Sequence, residues 1–373
     1  MRKHRPEIHH WISGGSSHVN RAAKTLLCVG VLIIGSVWLL HSQPLLLTNR
    51  TVKLTGINIA GAEFNGDVVP GMYGQHYFYP RPSTIDYYAT RGMNVIRLPV
   101  LWERLQRQLH ARLNETEMAR IDFVINHATV KKMTVILDVH NYAKYSNALI
   151  GSSNLPAQAF GDLWGQIAMR YKRNPLVMFG LMNEPHDITT ETWLEAVNIA
   201  IAEIRHAGAH NLILVPGNSW TSARDWTSPH YGTPNSVTML NVVDPGKNNV
   251  IEVHQYFDSD YSGSHPECQN VNIGVESLVK FTQWARTHRR TAFLGEFGAG
   301  DDPICLEVLD RVLKFLAENS DVWLGWTYWP IGAWWPKDHP TGDEPRDNQD
   351  PPPQMSVLEK YTRYVASPQT RPQ

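Results

Sequence analysis

Eight short apolar runs rich in β-branched residues recur along this chain, at 52–59, 94–100, 134–138, 177–182, 212–216, 250–254, 292–295 and 322–326. Their starts lie about 30 to 45 residues apart. Strands that are apolar without alternation are covered on both faces, as in parallel sheets flanked by helices. Between most of the runs sits a helical pattern. Phe160, Leu163, Trp164, Ile167, Ala168 and Tyr171 keep the i, i+3, i+4, i+7 spacing of one buried helix face. Trp193, Val197, Ala200, Ile201 and Ile204 do the same, after threonines suited to capping and before Gly208. Eight strand-and-helix units in roughly 320 residues predict an α/β fold, a (β/α)8 TIM barrel forming a single catalytic domain. A doubly wound open sheet is the alternative, but its Gly-rich phosphate-binding first turn is missing. The pattern is weakest at 221–249, which is rich in Ser, Pro, Asn and Gly and shows no convincing helix.

A barrel of this kind places its active site at the C-terminal ends of its strands, so the chemistry is read from eight strand ends. Two carry glutamates in matching settings: Phe179-Gly180-Leu181-Met182-Asn183-Glu184-Pro185 and, 112 residues on, Phe293-Leu294-Gly295-Glu296-Phe297-Gly298. Each apolar run stops at Pro or Gly just past its acid. A buried Glu is expensive, and two aimed at one mouth point to function. Double-displacement cleavage of a glycoside needs such a pair, about 5 to 5.5 Å apart, one a nucleophile and one an acid that later turns base.

The other strand ends supply partners. Arg97 interrupts the second run, and a buried guanidinium needs an anion, for which Glu296 is available. His140 ends the third run. On the sixth, period two puts His254 and Tyr256 on one face, where a phenol can hold a carboxylate nucleophile and an imidazole can orient or relay protons to the acid. The structural alternatives are a salt bridge for Arg97, a satisfied core residue for His140, and a polar pair closing the barrel for His254 and Tyr256. Asn183 is placed to bind the 2-hydroxyl of a sugar. Five aromatics occur between Trp326 and Trp335; Trp329 is expected as a floor under the sugar, with Trp334 or Trp335 at an outer subsite.

A formal net charge of -1 argues against a nucleic-acid partner, and no obligatory protein partner is implied. Of three cysteines, Cys28 lies in a hydrophobic segment, leaving Cys268 and Cys305 as the pair available for a disulfide, or as two reduced thiols in a cytosolic protein. Residues 1–24 are a basic tail with one acid, and 25–47 begin with 16 uncharged residues without a following small-x-small site. This predicts an uncleaved single-pass anchor with the catalytic body exported to a periplasmic or extracellular face; a cleaved signal peptide is the alternative. The barrel is expected over 51–366, closed by a helix at 355–365 carrying Val357, Leu358, Tyr361 and Tyr364 on one side, with a tail at 367–373.

Taken together, the segments Gly56-Ile57-Asn58-Ile59-Ala60-Gly61-Ala62-Glu63-Phe64, Ile96-Arg97-Leu98-Pro99, His140-Asn141-Tyr142, Met182-Asn183-Glu184-Pro185-His186-Asp187, His254-Gln255-Tyr256 and Leu294-Gly295-Glu296-Phe297-Gly298 resemble glycoside hydrolase family 5 of clan A, in its endoglucanase branch. The resemblance implies retaining, endo-acting cleavage of β-1,4-glucan with Glu184 as acid/base and Glu296 as nucleophile. It implies supporting roles for Arg97, His140, Asn183, His254, Tyr256 and Trp329, and supports the Cys268–Cys305 bridge. No flanking carbohydrate-binding module is expected, and the N-terminal segment differs from the cleaved leaders usual in secreted cellulases. A β-mannanase, xyloglucanase or mixed-linkage glucanase is the alternative enzyme, and a membrane-tethered glucan-binding protein the alternative outside enzymes. No cofactor or metal is expected: Asp258 to Gly263 imitates half a calcium loop, but its twelfth position is Gln269.

Overall fold

The computed structural model describes residues 52–332 and 351–362. Eight parallel strands form a closed barrel: β1 (Leu54–Ile59), β2 (Val95–Val100), β3 (Thr134–Val139), β4 (Val177–Gly180), β5 (Ile213–Pro216), β6 (Asn249–His254), β7 (Ala292–Glu296) and β8 (Trp323–Ile331). Each pairs with its sequence neighbours, and β1 closes on β8 from Leu54 opposite Gly325 to Ile59 opposite Ile331. Both faces of the strands are covered. Val95, Ile136, Leu214, Val250 and Phe293 form one apolar cluster, while Ile96, Leu137, Phe179 and Leu294 belong to the larger core under the helices. That coverage is why the runs read as continuously apolar.

The long helices begin where the sequence supplies side-chain caps. Asn114 accepts the Glu117 N–H before the helix Glu115–Val130, and Thr189 accepts that of Thr192 before Thr190–His206. Asp302 accepts from both Ile304 and Cys305 before Pro303–Glu318. Between β5 and β6 the helical elements are short, two 3-10 turns at Ser219–Thr221 and Met239–Asn241 and the four-residue helix Asn235–Thr238, as the Ser/Pro/Asn/Gly content of that link predicts. Two boundaries differ from expectation. β8 continues through its aromatic stretch to Ile331 because Ile59 gives it a partner there. The closing helix is shorter, Pro353–Leu358, and passes into a 3-10 turn ending at Tyr361.

Among the described residues no helix is long and apolar enough to cross a membrane. The expected anchor at 25–47, the basic tail, Trp334, Trp335, Tyr364 and the C-terminal tail all lie outside them.

Cys268 and Cys305 are joined in a disulfide with Cα atoms 5.3 Å apart. It ties the loop after β6 to the start of the helix after β7, and Cys305 is wholly buried. With the cysteines 37 positions apart in sequence, loop-closure entropy sets the bridge's contribution at about 3–4 kcal/mol. The double substitution Cys268→Ser, Cys305→Ser is therefore expected to lower the melting temperature by roughly 5–8 °C, as read by calorimetry or circular dichroism.

Candidate active site

The barrel mouth is organised around one guanidinium. Arg97, wholly buried on β2, reaches Glu296 Oε1 at 2.7 Å, Asp138 Oδ1 at 3.1 Å and Glu252 Oε1 at 3.1 Å. It also donates to Asn58 Oδ1 and Asn183 Oδ1, both at 3.0 Å. The three carboxylates outweigh the desolvation of Arg97 and hold its pKa above the ordinary value. Each of these partners comes from a different strand or strand end, so the ion network fixes the register in which β1, β2, β3, β4, β6 and β7 meet. Gly295 completes it: any side chain there would meet Glu252 Oε1 at 2.1 Å.

Glu296, buried at the end of β7, accepts a second hydrogen bond from the Tyr256 hydroxyl at 3.0 Å. Burial alone would raise its pKa, but the His254 and Arg97 cations and the Tyr256 hydroxyl reverse that and hold it below the usual carboxylate range. Glu184, beyond β4, takes the opposite course. Burial and the charge of Glu296 raise it, against the opposing hydrogen bond from His254. Its backbone is left-handed, with φ of 43°, unusual for a glutamate and costing on the order of 1–3 kcal/mol.

His254 sits between the acids. Its Nδ1 is 2.9 Å from Glu184 Oε1 and 3.6 Å from Glu296 Oε2, and its Nε2 is 3.6 Å from Glu252 Oε1. Burial would depress the imidazole, yet the three carboxylates raise it to about 10, so it is a cation at neutral pH. A ligating atom from each of Glu184, His254 and Glu296 lies within 4.8 Å of the others. Such a cluster could grip a metal ion, but Arg97 and protonated His254 already supply its positive charge.

His140 Nδ1 lies 2.8 Å from Asp138 Oδ2, within hydrogen-bond distance, and burial pushes the imidazole down to about 3. Its ring stacks on that of Trp329, with centroids 5.5 Å apart and planes 8° from parallel. Asn183 turns its amide so that Oδ1 faces Arg97. The structure thus gathers Glu184, Glu296, Arg97, His140, Asn183, His254, Tyr256 and Trp329 at one mouth.

Several residues there escaped the sequence reading. Period-two alternation from His254 and Tyr256 leads back to Glu252, and from His140 to Asp138, but acids inside apolar strands do not announce a partner. Trp220 had no signal. It is exposed and stacks on His186 at 4.8 Å, on a run in which Ser219, Trp220 and Thr221 all have positive φ although none is glycine. Asp258 turns out to organise its own loop, accepting the N–H groups of Gly263 and His265.

Next to the acids opens a cavity of about 360 Å³ lined by residues including Glu63, Glu103, His140, Tyr142, Lys144 and Trp329. A larger one, about 710 Å³, lies on the outer surface between Tyr73, Pro82 and Phe123, and none of the acids just described lines it.

A closed parallel barrel with one carboxyl biased to hold its proton and a second biased to lose it, both at the strand C-termini, defines a glycoside hydrolase. Residues 49–332 match the cellulase family, glycosyl hydrolase family 5. The endo-beta-1,4-glucanase B of Aspergillus niger is 35% identical over 82% of this chain and 89% of its own length. Among solved structures, XacCel5A in complex with cellopentaose is 44% identical with a TM-score of 0.82, over 83% of this chain and 99% of that one. An endo-beta-1,4-glucanase of Xanthomonas axonopodis pv. citri is 42% identical with a TM-score of 0.82, over 84% and 99%. The chain belongs to the cellulase family, glycosyl hydrolase family 5.

Replacing Arg97 by Met removes the charge shared by Asp138, Glu252 and Glu296. Breaking a buried ion network this way is expected to cost about 3–5 kcal/mol, read from the urea midpoint. Loss of the cation also raises the pKa of Glu296, so the acid limb of the pH–rate profile moves to higher pH.

Proposed function

We propose that this protein hydrolyses internal β-1,4-glucosidic bonds of cellulose or a related β-glucan by double displacement, with net retention. The observation that carries the reading is the approach of Glu184 and Glu296, with oxygens within 4.8 Å of each other and opposed biases of protonation. Retaining glycosidases hold the pair about 5–5.5 Å apart, whereas inverting ones leave about 6.5–9.5 Å for a water. The cellopentaose complex of XacCel5A and the glucanase relatives support a β-glucan as substrate. A mannan, xyloglucan or mixed-linkage glucan on the same barrel would show itself in a panel of soluble polysaccharides.

In this mechanism Glu296 attacks the anomeric carbon as its ester bond forms, and Glu184 protonates the departing glycosidic oxygen. Arg97 and Tyr256 hold Glu296 ionised and aimed. Asn183 binds the 2-hydroxyl, a contact that tightens in the transition state. Once the ester neutralises Glu296, the charge raising Glu184 is gone and its acidity recovers; as a carboxylate it takes a proton from the incoming water, whose oxygen bonds to the anomeric carbon as the ester bond breaks and releases Glu296 as a carboxylate. His254 donates to Glu184 throughout and limits how far the acid's pKa rises. Trp329 is the platform under the cleaved sugar, and Trp334 or Trp335 would serve an outer subsite.

Turnover requires Glu296 ionised and Glu184 protonated, which gives a bell-shaped profile. Its acid limb lies below the ordinary glutamate value and its alkaline limb above it. Glu296→Ala should lower turnover of carboxymethylcellulose by more than roughly 10⁴-fold while leaving oligosaccharide binding largely intact. Proton NMR of the first product should show the β-anomer. Appreciable activity in the variant, or an initial α-anomer, contradicts the assignment.

We further propose that residues 25–47 anchor the protein in a membrane with the barrel on the exported side. The basic flank at 1–24 and the uncharged run that follows support it. After carbonate extraction the full-length chain is expected in the membrane pellet; recovery of all of it in the soluble fraction excludes the anchor.

A further inference from the structure

The end of the barrel opposite the mouth, where the strands begin, is strongly basic. The seven links that return the chain from a helical segment to the next strand hold eight Lys or Arg, and their acids are Asp244 and Asp321 alone. Both acids are occupied, Asp244 by Arg205 at 2.8 Å and Asp321 by Arg286 at 2.8 Å. Lys132, Arg173, Lys247 and Arg289 are exposed in these links and form no ion pair among the described residues. Half-buried Arg290 donates to the Leu240 carbonyl, and exposed Lys53 adds a cation just before β1. The chain as a whole has a formal net charge of -1, so the excess belongs to this face.

Helix ends explain only part of this charge. The dipole favours a cation in the last turn of a helix, and the effect fades within that turn. Lys247 lies six positions beyond the 3-10 turn that ends at Asn241, and Arg289 two beyond the helix Ile273–Thr287. Lys132, Lys247 and Arg289 also hold left-handed backbone, with φ of 61°, 49° and 53°. Glycine adopts that conformation past a helix end without strain, so three links carry a cation where the backbone favours no side chain. Lys247, Arg289 and Arg290 line a cavity of about 310 Å³ together with Asp244, Asn249 and Thr291. The Asp244 oxygens are taken by Arg205 and by the N–H groups of Gly246 and Asn248, which leaves the three cations without an anion of their own.

The course of the chain says what covers this face. The described residues begin at Val52, and β1 sets out from this same end. Residues 48–51 are all that separate Val52 from the anchor proposed at 25–47, a span of at most about 18 Å when fully extended. Anionic headgroups attract exposed Lys and Arg over about one Debye length, whereas a neutral glucan offers them no charge. We infer that the face formed by the strand N-termini docks on an anionic phospholipid surface, with a headgroup phosphate entering the cavity between Lys247, Arg289 and Arg290. The mouth then opens away from the lipid, toward the polysaccharide. The anchor proposal fixes attachment only; this face fixes orientation, and its charge argues for docking without the anchor.

Residues 48–373 form a compact unit of their own, and the whole closed barrel lies within it. The test mixes this unit with vesicles of phosphatidylcholine, alone or with about one third phosphatidylglycerol, and reads the bound fraction by flotation. Binding to the anionic vesicles should exceed that to the neutral ones at least about tenfold in ~0.05 M salt and vanish near ~0.5 M, where charges are screened. Lys132→Gln, Arg173→Gln, Lys247→Gln and Arg289→Gln combined should lower it more than roughly twentyfold, since each basic residue at the surface contributes about fivefold. Arg81→Gln, Arg107→Gln, Arg112→Gln and Lys280→Gln combined remove the same charge from the mouth loops and the barrel wall and should bind as wild type. An unchanged melting temperature shows that each variant is folded. Equal binding to the two kinds of vesicle, or an equal fall in the two variants, overturns the inference. So does binding to a soluble anionic polysaccharide with none to vesicles. Carbonate extraction of the full-length chain tests the anchor separately, so either reading can fail while the other stands.

Discussion

The buried charge of Arg97 is the constraint from which the rest of the site follows. A guanidinium with no exposure is tolerable only when its desolvation is met by anions and acceptors in fixed directions. Here three carboxylates and two amide oxygens surround it. Each lies on a different part of the barrel wall, so the wall must close in one register for the charge to be satisfied. Stability and catalytic geometry are thereby tied together: the arrangement that makes the ion network tolerable is the one that aims Glu296 into the mouth.

The same network separates two glutamates that have nearly the same intrinsic acidity. Glu296 lies next to Arg97, Tyr256 and His254, all of which favour its charged form. Glu184 is largely shielded from water and close to the negative charge of Glu296, and among the described residues its side chain takes its hydrogen bond from His254. The left-handed backbone at Glu184 fits this picture, because a conformation that costs energy is kept when the surrounding contacts over-determine it. His254 has a double role. As a cation it screens the acids from each other, and its own charge is held by Glu252 beneath.

The fold was readable because a barrel strand covered on both faces leaves an unbroken apolar run, and eight of them at a steady interval admit few architectures. Glu184, Glu296, Arg97, His254 and Tyr256 were readable because each sits where an apolar run ends or is interrupted, at a place where a charge or hydroxyl has no structural excuse. Asp138 and Glu252 were not, since their meaning depends on Arg97 lying across from them in space. Trp220 depends on three consecutive left-handed residues without a glycine, a conformation imposed by tertiary contacts and invisible to local propensity. The early end of the last helix, which turns to 3-10 after Leu358, is a boundary that periodicity alone places poorly.

The division of labour between strands and loops explains why these two kinds of residue differ in legibility. Groups that move protons and electrons need sub-ångström placement, and strand ends locked by hydrogen-bonded neighbours provide it. Groups that choose a substrate need only shape and a few polar contacts, which loops can supply without disturbing the barrel. The loops here are nevertheless tied down: Arg104 binds the one after β1 through four carbonyls, and the Cys268–Cys305 bridge holds the one after β6. A rigid loop keeps its contacts in place before the polysaccharide arrives, so less binding energy is lost to ordering the protein and more remains to orient the bond that is cut.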